Sequence, residues 1–507
     1  MNAKNPQSPA GPWLYYLSQM ATSVLALMVP VLLLHYAGVS FFGVVAFATV
    51  LQACLQVSDL GLASTLTRAS AMCTTETQWV QQAMLLRKAE RWVAVSGSFT
   101  GLVLVWPILL IYQNWSQASA TDPVSLQDSL WLIMITIATK NQLEIYRGVL
   151  VGARQLNWLA IEVLLVAVVR ILLIIGLIQW GVLTLPAYFV LNIFSNLFEI
   201  FLSRSRSFSM IACFVNGYEL PEGPTIVPWR FSLSMAFAAF LWILFSQSDK
   251  LYLSHIWTIQ QFAEFSAATM LASGILIVTL PVQNIVSARL ATHHANGKSE
   301  YLISEYCQAT RWVGLLVWPL CAVLMFRAEE ILQAWTGNSV IAQHAEPVLM
   351  GYAFGNGLVA LGGVTFYLQF AIGKIRLHLL GAILFLAFLL PSLALAAEFF
   401  SLKGAGAVWA GANLLFFLTW LPFVHRKILP LPYGRWLRKD VLPALLYPTI
   451  VMMLLSPLSI SEHRSFAVIQ LGIFYGLCLL ITGCAIEDSR RWLLHSCKKI
   501  IKIISEA

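Results

Sequence analysis

Apolar runs of about 20 residues, separated by short polar segments, recur along the whole chain. About 20 apolar residues is the length that a helix needs to cross the hydrocarbon core of a bilayer. The pattern predicts about fourteen membrane-spanning helices, near residues 12–35, 42–66, 90–112, 128–150, 156–178, 183–203, 231–254, 262–287, 307–326, 347–371, 377–399, 405–424, 441–459 and 465–485. We therefore expect an all-α polytopic membrane protein with no separate soluble domain.

Composition agrees with this pattern and narrows the class of protein. Of the 507 residues, 59% are hydrophobic and only 11% are charged, whereas soluble domains carry about 25% charged residues. A net charge of +8 in such a chain is better explained by basic cytoplasmic loops than by nucleic-acid binding. The eight cysteines form no CxxC pair, so the sequence indicates neither a disulfide framework nor a zinc site. We expect no cofactor, no metal and no nucleic-acid partner.

Lysine and arginine favour alternate loops, and this asymmetry predicts the orientation. The loops on one side hold most of the basic residues, whereas the opposite loops hold only Arg327, Lys403 and Arg464. Because basic loops stay on the cytoplasmic side, both termini are predicted to be cytoplasmic. The stretch 488–507 either forms a basic amphipathic helix on the cytoplasmic leaflet or is an ordinary basic tail.

The chain also resembles itself at an offset of 221 residues. This offset superimposes the hydrophobic runs and pairs Arg68 with Arg289, Tyr146 with Tyr367, Gly152 with Gly373, and Asn192 with Asn413. An even number of spans per unit keeps both copies in one orientation, which is the plan of a parallel-repeat transporter. We predict an N-lobe of six helices in 1–215, a C-lobe of six in 216–430, a helix pair in 431–487 and the tail 488–507.

The predicted hairpin 140–170 carries Lys140, Glu144, Glu162 and Arg170 at or near membrane depth. A charge at the centre of a membrane helix costs at least about 2.5–3.5 kcal/mol, so such residues persist where they face partners or water. Their partners at the 221-residue offset are uncharged, namely Leu361, Thr365, Ile383 and Pro391. Since a purely architectural charge should occur in both lobes, the hairpin is a candidate functional site.

Two interpretations of the hairpin remain open. Glu144 lies one helical turn from Lys140 and from Arg147, so an intrahelical network could neutralise all three, and Glu162 could join it across the hairpin. Arg170 has no ionised residue at its depth on the preceding span, which favours a polar cavity. A guanidinium there suits phosphate, because its planar fork donates two parallel hydrogen bonds.

Asp249, Lys250 and Asp59 are further candidate residues within predicted spans. Asp249 and Lys250 are adjacent on span seven, so they should point about 100° apart, and either they act in gating or substrate binding or Lys250 reaches the interface. Asp59, within VSDLGLAST, is either a helix–helix hydrogen-bonding residue or a protonatable group.

Three segments together carry a family resemblance: FFGVVAFATVLQACLQVSDLGLASTLTR (41–68), EIYRGVLVGARQ (144–155), and FSQSDKLYLS with EFSAATMLAS (245–254 and 264–273). They resemble the polysaccharide-transport family of Wzx-type O-antigen and exopolysaccharide flippases, within the multidrug/oligosaccharidyl-lipid/polysaccharide (MOP) superfamily. The resemblance implies a MATE-like fold of two lobes, alternating access and a cationic lumen in the first lobe.

The same resemblance implies a polyprenyl-diphosphate-linked oligosaccharide as cargo, moved to the periplasmic leaflet of the bacterial inner membrane for cell-surface polysaccharide synthesis. By this resemblance Arg170, Lys140 and Lys250 are candidate headgroup contacts. Asp59, Glu144, Glu162 and Asp249 are candidate ion-coupling acids. Membrane lipids are expected partners, and other polysaccharide-assembly proteins are further candidates.

Two alternatives to a flippase remain. The first is a small-molecule exporter of the same fold, although drug-exporting relatives often carry an acidic residue on the first helix and span 12–35 has none. The second is an intramembrane glycan polymerase or ligase, which usually has a large external loop that is missing from the predicted topology. We therefore expect a transporter and not an enzyme.

Overall fold

The computed structural model describes residues 11–118, 126–215, 228–297, 299–461 and 463–486, and within these ranges no β-strand occurs. The α-helices are α1 (Gly11–Tyr36), α2 (Val39–Leu55), α3 (Leu62–Met72), α4 (Glu76–Ala118), α5 (Leu126–Gly152), α6 (Leu156–Gln179), α7 (Leu185–Val215), α8 (Trp229–Ile256), α9 (Ile259–Ala295), α10 (Ser299–Phe326), α11 (Ala328–Thr336), α12 (Ser339–Ala371), α13 (Ile375–Ile428), α14 (Tyr433–Trp436), α15 (Leu442–Leu455) and α16 (Arg464–Ala485). The predicted all-α class is confirmed.

Ten of the described helices are long and apolar enough to cross a membrane. One of them, α13, covers 54 residues and contains two predicted spans, 377–399 and 405–424. Ser401, with φ 51° and ψ −134°, interrupts the helical backbone between them. The predicted spans on α4, α5 and α15 also lie on helices, but these helices are not among the ten.

The helix order repeats at the offset that the sequence indicates. Lowering the bounds of α8 by 221 gives 8–35, which overlaps α1, and the same operation on α12 gives 118–150, which overlaps α5. Asn192 and Asn413, one offset apart, each donate a side-chain hydrogen bond to the backbone carbonyl four residues earlier, at 2.9 and 2.8 Å. The repeat is therefore visible in helix positions and in at least one local contact.

By their packing, the described residues divide into two compact units, one ending at Ala263 and one beginning at Glu264. In the first unit α5 packs against α3, α4 and α7, while α1 packs against α6. In the second unit α12 packs against α10, α11 and α13. The predicted lobe boundary between residues 215 and 216 stays a prediction, and the predicted tail 488–507 lies outside the described residues.

The C-terminal helices α15 and α16 pack against each other and against α10 within the second unit. Arg327 fastens the end of α15, since its guanidinium donates to the carbonyls of Leu455, Ser456 and Leu458 at 2.8, 3.1 and 2.7 Å. A helix C-terminus leaves several carbonyls without intrahelical partners. A cation there donates hydrogen bonds to them and interacts favourably with the negative end of the helix dipole.

Two glycines position α5 against α3 in the first unit. A Cβ on Gly148 would lie 2.6 Å from the carbonyl oxygen of Ala63, and one on Gly152 would lie 2.2 Å from that of Thr67. Side chains larger than hydrogen would therefore force the two helices apart. This close approach fixes the face of α5 that carries Lys140 and Glu144.

The predicted second span, 42–66, is not one continuous helix. It ends as α2 at Leu55, passes through a short 3-10 turn, and restarts as α3 at Leu62. Between them Leu60 and Gly61 have positive φ values of 54° and 73°. The corresponding stretch of the second unit, 276–282, lies within the continuous helix α9, so the break belongs to the first unit alone.

Candidate functional site

Three helices of the first unit bring ionisable side chains together inside the predicted spans. Lys140, Glu144 and Arg147 follow one another on α5 at spacings of four and three residues, which places them on one helix face. We call the following six residues the charge cluster: Lys140, Glu144 and Arg147 on α5, Glu162 and Arg170 on α6, and Glu199 on α7.

Arg147 is the most completely paired cation of the charge cluster. Its guanidinium lies 3.3 Å from the carboxylate of Glu144 and contacts Glu199 Oε1 directly. The side chain of Glu199 is only 2% exposed. An intrahelical Glu144–Arg147 contact is the network predicted from the sequence, but Glu199 on α7 completes it.

The guanidinium of Arg170 lies closer to the neutral amide of Asn196 than to any carboxylate of the charge cluster. Its Nη2 donates to Asn196 Oδ1 at 3.2 Å, while the nearest oxygen of Glu199 is 4.0 Å away. Asn196 is itself fixed, because its amide donates to Thr136 O and Thr139 Oγ1, each at 3.1 Å. The Arg170 side chain remains 28% exposed. The sequence comparison covered only the preceding span, so it did not anticipate Glu199 on α7, which balances the charge of Arg170 only loosely.

Lys140 has no direct counter-ion. Within the part of the chain that the structure describes, its ammonium forms neither an ion pair nor a hydrogen bond. Glu144 and Glu199 are close enough to influence it electrostatically, as are Arg147 and Arg170. The predicted network that would neutralise Lys140 through Glu144 does not form, because Glu144 is directed to Arg147.

Glu162 is buried, with 4% of its surface exposed, but it does not pair with Arg147 as the sequence suggested. Its Oε1 accepts a hydrogen bond of 2.5 Å from Ser203 on α7, and its Oε2 is buried without a hydrogen-bond partner. Arg147 and Lys140 lie within its electrostatic reach. Burial of an oxygen without a partner costs free energy that a bound proton or cation would recover.

Asp59 lies at the break between α2 and α3. Its carboxylate accepts hydrogen bonds from the backbone amides of Gly61 and Ala63, at 2.8 and 3.1 Å. It thus caps the first turn of α3. This capping role differs from both roles that the sequence suggested. From α5, Asn141 donates to the carbonyl of Leu55 at 3.0 Å and so satisfies the other side of the break.

Asp249 and Lys250 lie on α8 and are not part of the charge cluster. Lys250 Nζ is 3.3 Å from Asp249 Oδ1 and donates to the carbonyl of Ser246 at 2.7 Å. Adjacent residues point about 100° apart on a helix, but these two side chains still form an ion pair, because the flexible lysine side chain folds back along its own helix. Asp249 is fully buried, whereas Lys250 is half-buried.

The structure therefore joins Lys140, Glu144, Glu162 and Arg170. Asp59 caps α3 within electrostatic reach of Glu144, whereas Asp249 and Lys250 pair with each other on α8. Sequence reasoning missed Glu199 and Asn196, which tie the charge cluster together. Their signal was a polar stripe on α7, where Asn196, Glu199 and Ser203 recur at spacings of three and four residues.

No protein-family model and no curated protein matches this sequence. Solved structures do resemble it. A lipid II flippase MurJ in an inward closed conformation superimposes with a TM-score of 0.67 and 14% identity, over 93% of this chain and 98% of that chain. An inward-facing multidrug resistance MATE family transporter of the MOP superfamily gives a TM-score of 0.62 and 14% identity, over 81% of this chain and 94% of that chain.

The Vibrio cholerae MATE transporter VcmN in the bent form gives a TM-score of 0.52 and 17% identity, over 82% of this chain and 95% of that chain. At such low identity these similarities establish the fold alone. They extend over nearly the whole of each compared protein and most of this one. The chain therefore has the helical membrane fold that is also found in MurJ and in the MATE family transporters.

Proposed function

We propose that the protein is a flippase that moves a polyprenyl-diphosphate-linked oligosaccharide from the cytoplasmic to the periplasmic leaflet of a bacterial inner membrane, by alternating access. The observation that carries this proposal is the charge cluster, in which two cations lack close counter-ions. Arg170 is 4.0 Å from its nearest carboxylate oxygen, and Lys140 forms no ion pair among the described residues. Incompletely neutralised cations within a membrane span are expected where an anion binds.

Arg170 and Lys140 are the proposed headgroup contacts. The guanidinium fork of Arg170 can donate two parallel hydrogen bonds to one phosphate, and the ammonium of Lys140 adds a compact charge. Lys250 is the weaker candidate of the three, because Asp249 and the carbonyl of Ser246 already occupy its ammonium.

Among the acids proposed for ion coupling, Glu162 fits best. Its Oε2 is buried without a partner, so taking up a proton or Na⁺ there would satisfy an atom that the protein leaves unpaired. Glu144 is committed to Arg147, and Asp59 caps α3. These contacts make both less suited to exchanging an ion.

Export of a small molecule is the rival function, since MATE structures share the fold. The sequence of α1, Gly11–Tyr36, contains no aspartate or glutamate. An acid on the first helix is a feature that drug-exporting relatives often have, so its absence favours the lipid-linked substrate.

The test is translocation in proteoliposomes of a fluorescent polyprenyl-diphosphate-linked oligosaccharide, with efflux of a cationic dye measured in parallel. We expect lipid translocation without dye efflux, and a rate at least about tenfold lower in Arg170→Ala and Lys140→Ala. Arg289→Ala is the matched control, because Arg289 is 60% exposed and pairs with Glu305 in the second unit. Wild-type rates in both site variants would remove the assigned site, and dye efflux without lipid translocation would favour the rival.

A further inference from the structure

Glu199 lies near both arginines of the charge cluster, but it contacts one of them much more closely than the other. Its Oε1 contacts Arg147 directly, whereas its Oε2 is 4.0 Å from Arg170 Nη2. Glu199 is nearly fully buried, while Arg170 remains 28% exposed. One carboxylate oxygen is therefore committed to a permanent partner, and the other only approaches an accessible cation.

Arg170 does not depend on Glu199 for its orientation. The hydrogen bond to Asn196 Oδ1 at 3.2 Å holds the guanidinium, and Asn196 is fixed in turn by Thr136 and Thr139. The Nε of Arg170 is buried and has no hydrogen-bond partner. The arginine is thus pre-oriented by a neutral amide and keeps donor capacity for a further acceptor.

We propose that Glu199 is the counter-ion that the phosphorylated headgroup displaces from Arg170. This inference rests on the proposed function. A phosphate oxygen takes the place of Glu199 Oε2 beside Arg170, because a phosphate group accepts the bidentate fork more closely than a carboxylate 4.0 Å away. Glu199 keeps Arg147, so no buried carboxylate is left without a partner.

This exchange explains how the site can bind an anion and still release it. With the site empty, Glu199 partly balances Arg170 and lowers the cost of its charge in the membrane. With substrate bound, Glu199 repels the phosphate and competes for the same guanidinium. A transporter needs binding that is strong enough to load the substrate and weak enough to let it leave, and Glu199 would set that balance.

The test measures farnesyl diphosphate binding to the purified protein in detergent at fixed ionic strength. We expect Glu199→Gln to tighten binding about tenfold, since the amide neither balances Arg170 nor repels phosphate. The gain should vanish in the double variant Glu199→Gln/Arg170→Ala. In proteoliposomes Glu199→Gln should lower both the half-saturating substrate concentration and the maximal rate. A loss of folded protein would lower the maximal rate alone.

Glu90→Gln is the matched control, because Glu90 pairs with Arg204 at 3.0 Å in the same unit but outside the charge cluster; its affinity should equal wild type. Glu199→Asp serves if the glutamine variant does not fold: it keeps a carboxylate for Arg147 but withdraws it from Arg170, so binding should again tighten. Unchanged or weaker binding in the folded variant, or a gain that survives loss of Arg170, overturns the proposal.

These results separate the inference from the proposed function. If the wild type binds farnesyl diphosphate and Arg170→Ala loses it, while Glu199→Gln matches wild type, only the counter-ion exchange is wrong. If the wild type does not bind the diphosphate, both are wrong.

Discussion

At the scale of single residues, the cations of the charge cluster differ in how completely the protein neutralises them. Arg147 contacts two carboxylates, Arg170 approaches one at 4.0 Å, and Lys140 forms no ion pair in the described chain. This order separates one cation that is fully paired from two that carry less counter-charge.

The order predicts opposite effects of two alanine substitutions on one face of α5. Arg147→Ala leaves Glu199 buried without its partner, which should cost about 3–5 kcal/mol of the free energy of unfolding. Lys140→Ala removes a cation that has no partner and should be neutral or stabilising. Thermal unfolding of both variants in one detergent measures the difference. Equal destabilisation would mean that Lys140 is as much a structural residue as Arg147.

At the scale of elements, the break between α2 and α3 is the feature that hydropathy could not reveal. The apolar run continues through residues 42–66, so periodicity predicts one span. The break requires glycine at position 61, because its φ is 73° and a Cβ would lie 2.1 Å from the carbonyl oxygen of Ser232 on α8. Asp59 and Asn141 then supply the hydrogen bonds that the interrupted helix lacks.

Gly61→Ala should therefore destabilise the protein, by about 1–3 kcal/mol from the strained backbone alone and more from the clash with α8. Gly176→Ala on α6 is the matched control, because no atom lies within 4 Å of the Cβ it would add. A helical glycine in open space should tolerate alanine or gain about 0.5–1 kcal/mol. Thermal unfolding of the pair checks this. A Gly61 variant as stable as the Gly176 variant would show that the break does not require glycine at this position.

Substitutions of Asp59, which lies at the break, can distinguish a role in capping α3 from a role in ion coupling. Asparagine caps helices about as well as aspartate, whereas alanine costs about 1 kcal/mol. We expect Asp59→Asn to keep both stability and substrate translocation, and Asp59→Ala to lose stability. If Asp59→Asn is stable but cannot translocate the lipid-linked substrate, then Asp59 titrates during transport.

At the scale of the whole molecule, the helical class that the sequence predicted is confirmed, and helix bounds recur at the predicted offset of 221 residues. Hydrophobic length is a strong signal, so even the two spans within α13 were separable, and Ser401 divides them. The pairing of the charged side chains in the site was less predictable. Which carboxylate reaches which cation depends on contacts between helices, and Glu199, 52 residues from Arg147, escapes any pattern local to the hairpin.

The most direct measurement is a cryo-electron microscopy structure of the protein with a bound polyprenyl diphosphate. We expect the diphosphate to lie between Arg170 and Lys140, with phosphate oxygens about 2.7–2.9 Å from their nitrogens. Glu199 should remain on Arg147. A diphosphate bound elsewhere, with Arg170 still beside Glu199 and Lys140 without a phosphate contact, would contradict the proposed site.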